Sequence, residues 1–314
     1  MEPPAVVVVG QIARDLVLRI DVMPDAGQAA DVRARREVLG GKGANQAVSV
    51  AQLGERVGLL SVIGDDDAGT RVLDQARQDG IDVTTVVRRA DTPTGLIVEA
   101  LEANGDWRYL QHLPDPVLLT EDDITAAGDA LDSASAVLVQ LQQPPAAAVA
   151  AARHGRAGGG LVVCDGAPAD AQRDALLAVT DVVRADERET QLLLGFPADD
   201  VDVAVDAAQD LLDAGPSLIA LASAAGNLFI WPGGHLLIPK ADAPVVDTTG
   251  AGDALTAALA VALFHGDAPD RAARLAAAAA TVTVGHAGGR PRLDDDTLGI
   301  ALEQIDDVVR HNRS

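Results

Sequence analysis

Five short apolar runs rich in β-branched residues, "AVVVVG" (5–10), "AVLVQL" (136–141), "LVVCD" (161–165), "DVVRA" (181–185) and "SLIALA" (217–222), are separated by stretches of helical periodicity. Runs of this length without polar alternation are what strands buried on both faces look like, and parallel neighbours need a crossover, usually a helix, between them. The alternation therefore predicts an α/β fold, a mostly parallel sheet covered by helices. Helical patterns fall at about 120–133, 144–157, 169–179, 187–195 and 201–214, and Thr120 and Asp123 open the first of them at capping-box spacing. Three more helices are expected from about 251 onward, separated by "HGDAPD" and "GHAGGRPRL".

Two segments depart from this rhythm. Residues 15–40 alternate loosely, and "TGLIVEALEANGDWRYLQH" (94–112) has the pattern of a hairpin about Asn104-Gly105. Both read as a small β-sheet attached to the main domain, although periodicity alone does not show that they pair.

Composition narrows the partners. A chain of 314 residues holds one large α/β domain or two ordinary ones, and 48% hydrophobic with 2% aromatic residues calls for a core of Val, Leu, Ile and Ala. A net charge of −23 argues against a nucleic-acid backbone or an anionic membrane as main partner and leaves a small neutral substrate easy to accommodate. Cys164 is the only cysteine, so there is no internal disulfide and no cysteine cluster for zinc, which fits a cytoplasmic location. "MEPPAVVVVGQ" lacks a basic n-region and is expected to be a first strand and not a signal peptide; the alanine-rich 272–284 is too short to span a membrane and is expected to be a buried helix.

The turn after the first strand, "GQIARD", lacks G-x-G-x-x-G, and no G-x-x-x-x-G-K-[ST] occurs. A phosphate site must then lie elsewhere. In "DTTGAGDALTAALA" (247–260), Gly250 and Gly252 allow close backbone approach, and successive N–H groups at a helix start can converge on one oxyanion. Asp253 stands where a phosphate would repel it. Taken alone, the stretch is equally a glycine-rich helix start whose Asp253 favours the dipole. A second such start, "GGKGANQA" (40–47), offers Lys42 and Asn45 as donors.

Together these two stretches resemble the signature regions of the ribokinase-like (PfkB) sugar kinase family. "GQIARD", "GGKGANQAVSVAQLG", "VIGDDDAG", "TPTG", "DERE" and "DTTGAGD" follow in that family's order across nearly the whole chain. The resemblance implies a single three-layer αβα domain over 1–314, a β-lid built from about 12–40 and 92–114, and transfer of the ATP γ-phosphate to a sugar hydroxyl. Carried over by position, Asp253 is the catalytic base, with Gly250 and the N–H groups of Ala251, Gly252 and Asp253 forming the anion hole. Asp15, Gly41, Lys42 and Asn45 match sugar-contacting positions. Asp186 and Glu189 stand at the family's N-x-x-E motif, associated with Mg²⁺ through water, with an acid in place of the amide. Ser223 and Gly226 survive from a nucleotide-binding turn.

The departures concern specificity. Ala13 stands where an Asn is usual, "LPDP" (113–116) replaces Gly-Ala-Asn, and Gln142 occupies a position where ribokinase has Glu. Asp247 and Thr249 match one side of a monovalent-cation site, and Arg292 stands where potassium-activated relatives have a small hydroxyl residue. A guanidinium cannot ligate a cation, so Arg292 is expected to neutralise Asp247 and to remove any need for K⁺. The expected activity is phosphorylation of a primary hydroxyl on a small neutral sugar, with a nucleoside or 2-keto-3-deoxygluconate as competing substrates. The other class is a catalytically weak sugar- or nucleotide-binding relative. An exposed lid edge suggests a homodimer.

Overall fold

The computed structural model describes residues 4–240, 246–286 and 291–311, the last five of these in backbone only. Chain order runs β1 (Val6–Val9), β2 (Ala13–Ile20), β3 (Val32–Gly40), α1 (Lys42–Gln52), β4 (Val57–Leu60), β5 (Val62–Gly64), α2 (Asp67–Gln78), β6 (Ile81–Asp82), β7 (Val87–Arg89), β8 (Leu96–Glu102), β9 (Trp107–His112), α3 (Glu121–Ala126) and α4 (Gly128–Asp132). It continues with β10 (Ala136–Gln140), α5 (Pro145–Ala157), β11 (Leu161–Asp165), α6 (Arg173–Leu177), β12 (Val182–Ala185), α7 (Glu187–Leu194), α8 (Val201–Asp213), β13 (Leu218–Ala222), β14 (Gly226–Trp231), β15 (Gly234–Pro239), α9 (Ala251–Phe264), α10 (Pro269–Val284) and α11 (Asp295–His311).

The central sheet has nine strands in the order β15-β14-β13-β12-β11-β10-β1-β4-β6. All neighbours from β13 to β6 are parallel, and β14 and β15 add an antiparallel edge. Because side chains alternate across a strand, the valines of β1 divide between two cores. Val6 and Val8 pack with Ala44 and Ala47 of α1 and the alanines of α9 and α10; Val7 and Val9 pack with Ile124 of α3 and Ala148 and Ala151 of α5. A third cluster joins Val183 and Ile219 to Ala204 and Ala208 of α8. The three layers expected from the sequence are therefore present, and the alanine-rich 272–284 is buried within α10. Among the described residues no helix is long and apolar enough to cross a membrane.

Boundaries differ where local chemistry intervenes. The helix expected at 120–133 starts with the reciprocal Thr120/Asp123 capping box but breaks at Ala127 into two short helices. At the break, any Cβ on Gly128 would touch the His154 ring of α5, so close packing sets the local path. The helix expected at 169–179 reduces to a 3₁₀ turn at Asp170–Gln172 and the short α6. β4, β6, β14 and β15 are additional to the runs read from sequence: β4, β14 and β15 begin at or contain glycine, which interrupts the apolar run, and β6 has only two residues.

A separate four-stranded sheet, β3-β2-β8-β9, joins the two atypical segments. β2 and β8 pair in parallel and β8 turns into β9 at Asn104-Gly105, where the Asn104 side chain accepts from the Asp106 N–H at 2.9 Å. β2 leaves β1 through Gly10 to Ile12, and β3 runs directly into α1. The small sheet is thus anchored at the ends of the chain segments that open the candidate site.

Candidate active site

α9 begins after Gly250, whose φ of 75° is a left-handed conformation that a residue with Cβ rarely adopts. Ala254 N–H already bonds to the Gly250 carbonyl at 2.8 Å, and Ala251 N–H makes a long 3.4 Å bond to Thr248. The N–H groups of Gly252 and Asp253 have no partner among the described residues, as expected for the first turn of a helix. These donors, at the positive end of the dipole, are oriented as an anion would require.

Asp253 sits in that first turn and is only 7% exposed. Two donors from α1 reach it: Asn45 Nδ2 to Oδ2 at 3.2 Å and Gln46 Nε2 to Oδ1 at 3.3 Å. Burial, with the nearby Asp165 charge added to it, pushes the Asp253 carboxyl up to about 7, against the opposing influence of Lys42, Asn45 and Arg184. A carboxyl of this kind is a competent base near neutrality, because a proton acceptor works best when its pKa lies near the operating pH.

Below Asp253 lies a polar row that the motifs did not reveal. Gln140 and Asp165 end two adjacent parallel strands and Arg184 is the penultimate residue of the next, in register with Asp165, and all three are buried. Arg184 Nη1 donates to Asp165 Oδ1 at 2.9 Å, Gln46 Nε2 donates to Asp165 Oδ2 at 2.8 Å, and Thr256 of α9 donates to the Gly252 carbonyl at 2.9 Å. The signal was available in the sequence: Asp165 closes "LVVCD" and Arg184 interrupts "DVVRA", and charges inside doubly buried strands require partners.

Asp186 and Glu189 meet at the start of α7, each side chain accepting from the other's backbone N–H in a reciprocal capping box. Lys42 Nζ lies 3.3 Å from Glu189 Oε1 and 3.8 Å from Asp186 Oδ2. Burial works against the Lys42 charge, yet Asp165, Glu189 and Asp253 hold its pKa above the ordinary value. Burial also raises Glu189, with Lys42 opposing. The described residues contain no group of three ligating side chains, so a protein-only cage is not built. Two carboxylates at one helix start do fit Mg²⁺, which commonly takes one or two carboxylates and completes its shell with water and phosphate oxygens.

On the other side of α9 is a cavity of about 280 Å³ lined by Arg184, Asn227, Lys240, Thr248, Gly252 and Thr281, with apolar walls from Leu255, Ala277 and Val284. Its size and mixed lining suit a small organic ligand. Gly252 carries no Cβ for a local reason, since one would come within 2.9 Å of Arg184 Cζ and nearer still to Nη2.

The model of the pfkB family of carbohydrate kinases matches residues 4–296. The chain belongs to the pfkB carbohydrate kinase family. It is 30% identical to the ribokinase of Haemophilus influenzae over 290 residues, 90% of this chain and 93% of that one. It is 29% identical to a deoxyribokinase of Salmonella typhi over 251 residues, covering 79% and 82%. The solved structure of Arabidopsis thaliana ribokinase complexed with ribose and ATP superposes with a TM-score of 0.81 at 27% identity, covering 96% of this chain and 99% of that one.

Within this pfkB kinase the remaining expected positions fall as follows. Asp15, at the base of β2, lays its carboxyl over the backbone of Gly40, beside Gly41 and α1. Gln142 is exposed and lines a cavity with Gly166, Asp186 and Glu189, while its carbonyl accepts from Gln11 Nε2 at 2.9 Å. Ser223 is buried with its hydroxyl bonded to the Gly226 carbonyl at 3.1 Å, so it shapes the turn, and Asn227 is the neighbour that lines the cavity beside α9. Asp247 accepts from Thr249 N–H at 2.9 Å and lines a cavity with Arg19, Arg35 and Arg36 of the lid. Arg292 is exposed, and its carbonyl accepts from Thr297. Arg19, Arg35 and Arg36 thus share a cavity with Asp247, while residues 287–290, which lead to Arg292, lie outside the described residues.

Proposed function

We propose that this kinase transfers the γ-phosphoryl group of ATP to a primary hydroxyl of a small neutral sugar, with Asp253 as the base. The observation that carries this is a buried carboxyl with pKa about 7, set beside the unpartnered N–H groups of α9 and held by Asn45 and Gln46. Asp253 accepts the hydroxyl proton, the hydroxyl oxygen bonds to phosphorus in line with the departing β-phosphate oxygen, and ADP leaves. The helix start receives the equatorial oxygens of the phosphoryl group in transit.

The neutral substrate follows from charge. Lys42, the cation nearest the sugar positions, is engaged with Glu189 and Asp186, while Asp15 and Asp253 would repel an anionic sugar. Ribose and 2-deoxyribose are the leading candidates, given relatives named ribokinase and deoxyribokinase. Asp186 and Glu189 would hold Mg²⁺ against the nucleotide, where it would neutralise phosphate charge. Dimerisation through the lid is supported by β9, an edge strand with all six residues exposed, Trp107 and Leu110 among them. A monomeric mass in solution at micromolar concentration would count against the dimer.

A panel of pentoses, deoxypentoses, hexoses, sugar acids and nucleosides incubated with ATP and Mg²⁺ tests the activity, comparing wild type with Asp253→Asn. ADP formation with a neutral sugar, lost in the variant, is expected. No ADP above background with any compound, or turnover that survives the substitution, would overturn the proposal.

A further inference from the structure

Arg184 is costly where it stands. It is the penultimate residue of β12, a strand buried throughout, where an apolar residue of similar volume would serve stability as well or better than an ion pair. A guanidinium carries five N–H donors and stays charged at any working pH. Only Nη1, bonded to Asp165, has a partner among the described residues. Nη2 lies against Gly252, and the side chain lines the cavity that opens at the α9 helix start.

We propose that Arg184 contacts the phosphoryl group in transit, donating from the strand side while the Gly252 and Asp253 N–H groups donate from the helix, and that Asp165 is the positioning residue that aims its guanidinium. The inference rests on the kinase activity proposed above. Geometry supports it from three directions. Asp165 is itself fixed, with Gln46 at 2.8 Å on one oxygen and Arg184 at 2.9 Å on the other, so the guanidinium is held without using its remaining donors. Glycine at 252 leaves the space through which Nη2 reaches the turn. Lys240 lines the same cavity but is already paired with Glu187 at 2.6 Å, which leaves Arg184 as the cation with spare donors there. Charge-assisted bonds from a planar fork to phosphate oxygens are the strong ones, and they contribute most where phosphoryl charge is redistributed.

The test separates this role from the activity itself. Binding of ATP, ADP and adenosine is measured by calorimetry for wild type, Arg184→Lys, Asp165→Asn and the double variant Asp165→Asn/Arg184→Met, which removes both buried charges together and so leaves none unpaired. Turnover is measured in parallel with the sugar accepted by wild type. The double variant is expected to bind adenosine within about twofold of wild type but ATP at least ~10-fold more weakly, with kcat down about a hundredfold. Asp165→Asn is expected to lower kcat with little change in adenosine affinity, and Arg184→Lys to recover part of the loss as a single point charge. A double variant that binds adenosine normally and keeps both its ATP affinity and kcat within twofold of wild type would overturn the role of Arg184. Wild type that binds no ATP at all would instead overturn the kinase activity on which the inference rests.

Discussion

Asp253→Asn is expected to abolish turnover and at the same time to stabilise the protein above neutral pH. Its carboxyl is raised from 3.8 to about 7, so between those values the unfolded chain releases a proton that the native state retains. Stability therefore falls as pH rises through this window, and the loss is complete above about 7; roughly three units at 1.36 kcal/mol each sets its size at ~4 kcal/mol. Asn never ionises and escapes that loss. It does, however, offer one carbonyl oxygen to two donors, Asn45 Nδ2 and Gln46 Nε2, and leaving one unsatisfied costs about 1–3 kcal/mol. The net expectation is a gain of about 2 kcal/mol at pH 8, roughly 4 °C in Tm for a chain of this size, turning into a small loss at pH 4. Thermal unfolding followed by circular dichroism from pH 4 to 8, for both proteins in one buffer series, reads the difference. A gap that does not vary with pH, or a variant less stable than wild type at pH 8, would refute the assignment of a perturbed, buried base at 253.

Three further outcomes follow. With the accepted sugar saturating in Mg²⁺ and ATP, log(kcat/KM) should rise with unit slope toward a plateau beginning near pH 7, since the ionised Asp253 is the active form; a rate flat down to pH 5 would count against it. Gly252→Ala should fold with a Tm near wild type yet lose kcat by at least tenfold, because its Cβ would push the Arg184 guanidinium from the turn; unchanged kcat would show that the close approach has no catalytic part. Replacing Na⁺ by K⁺ at constant ionic strength should change the rate less than about twofold, because three arginines, Arg19, Arg35 and Arg36, line the same cavity as Asp247 and disfavour a cation there; a severalfold activation by K⁺ would refute this.

What the sequence disclosed and what it hid divide along a physical line. Periodicity is a property of burial, so the doubly buried strands and the alanine-rich helices were legible within a residue or two, and the Asn104-Gly105 turn disclosed the lid hairpin. The glycine-rich starts of α1 and α9 were legible because backbone donors need open, glycine-lined turns. Pairing across the fold was not legible. Nothing along the chain says that β2 lies beside β8, or that residue 46 meets residues 165 and 253, because such contacts are set by how layers close over one another. The charged residues nonetheless left a trace. An aspartate and an arginine at or next to the ends of strands that are otherwise Leu, Val, Ala and Cys cannot remain unpaired, and parallel strands in register give them only each other and the helices above. On the proposed reading, Asp165 holds the Arg184 guanidinium while its spare donors face the turn, and burial, with the Asp165 charge added to it, raises the Asp253 carboxyl above them. Removing either charge alone disturbs base and phosphate together, and only removal of both separates the stability of the row from its chemistry.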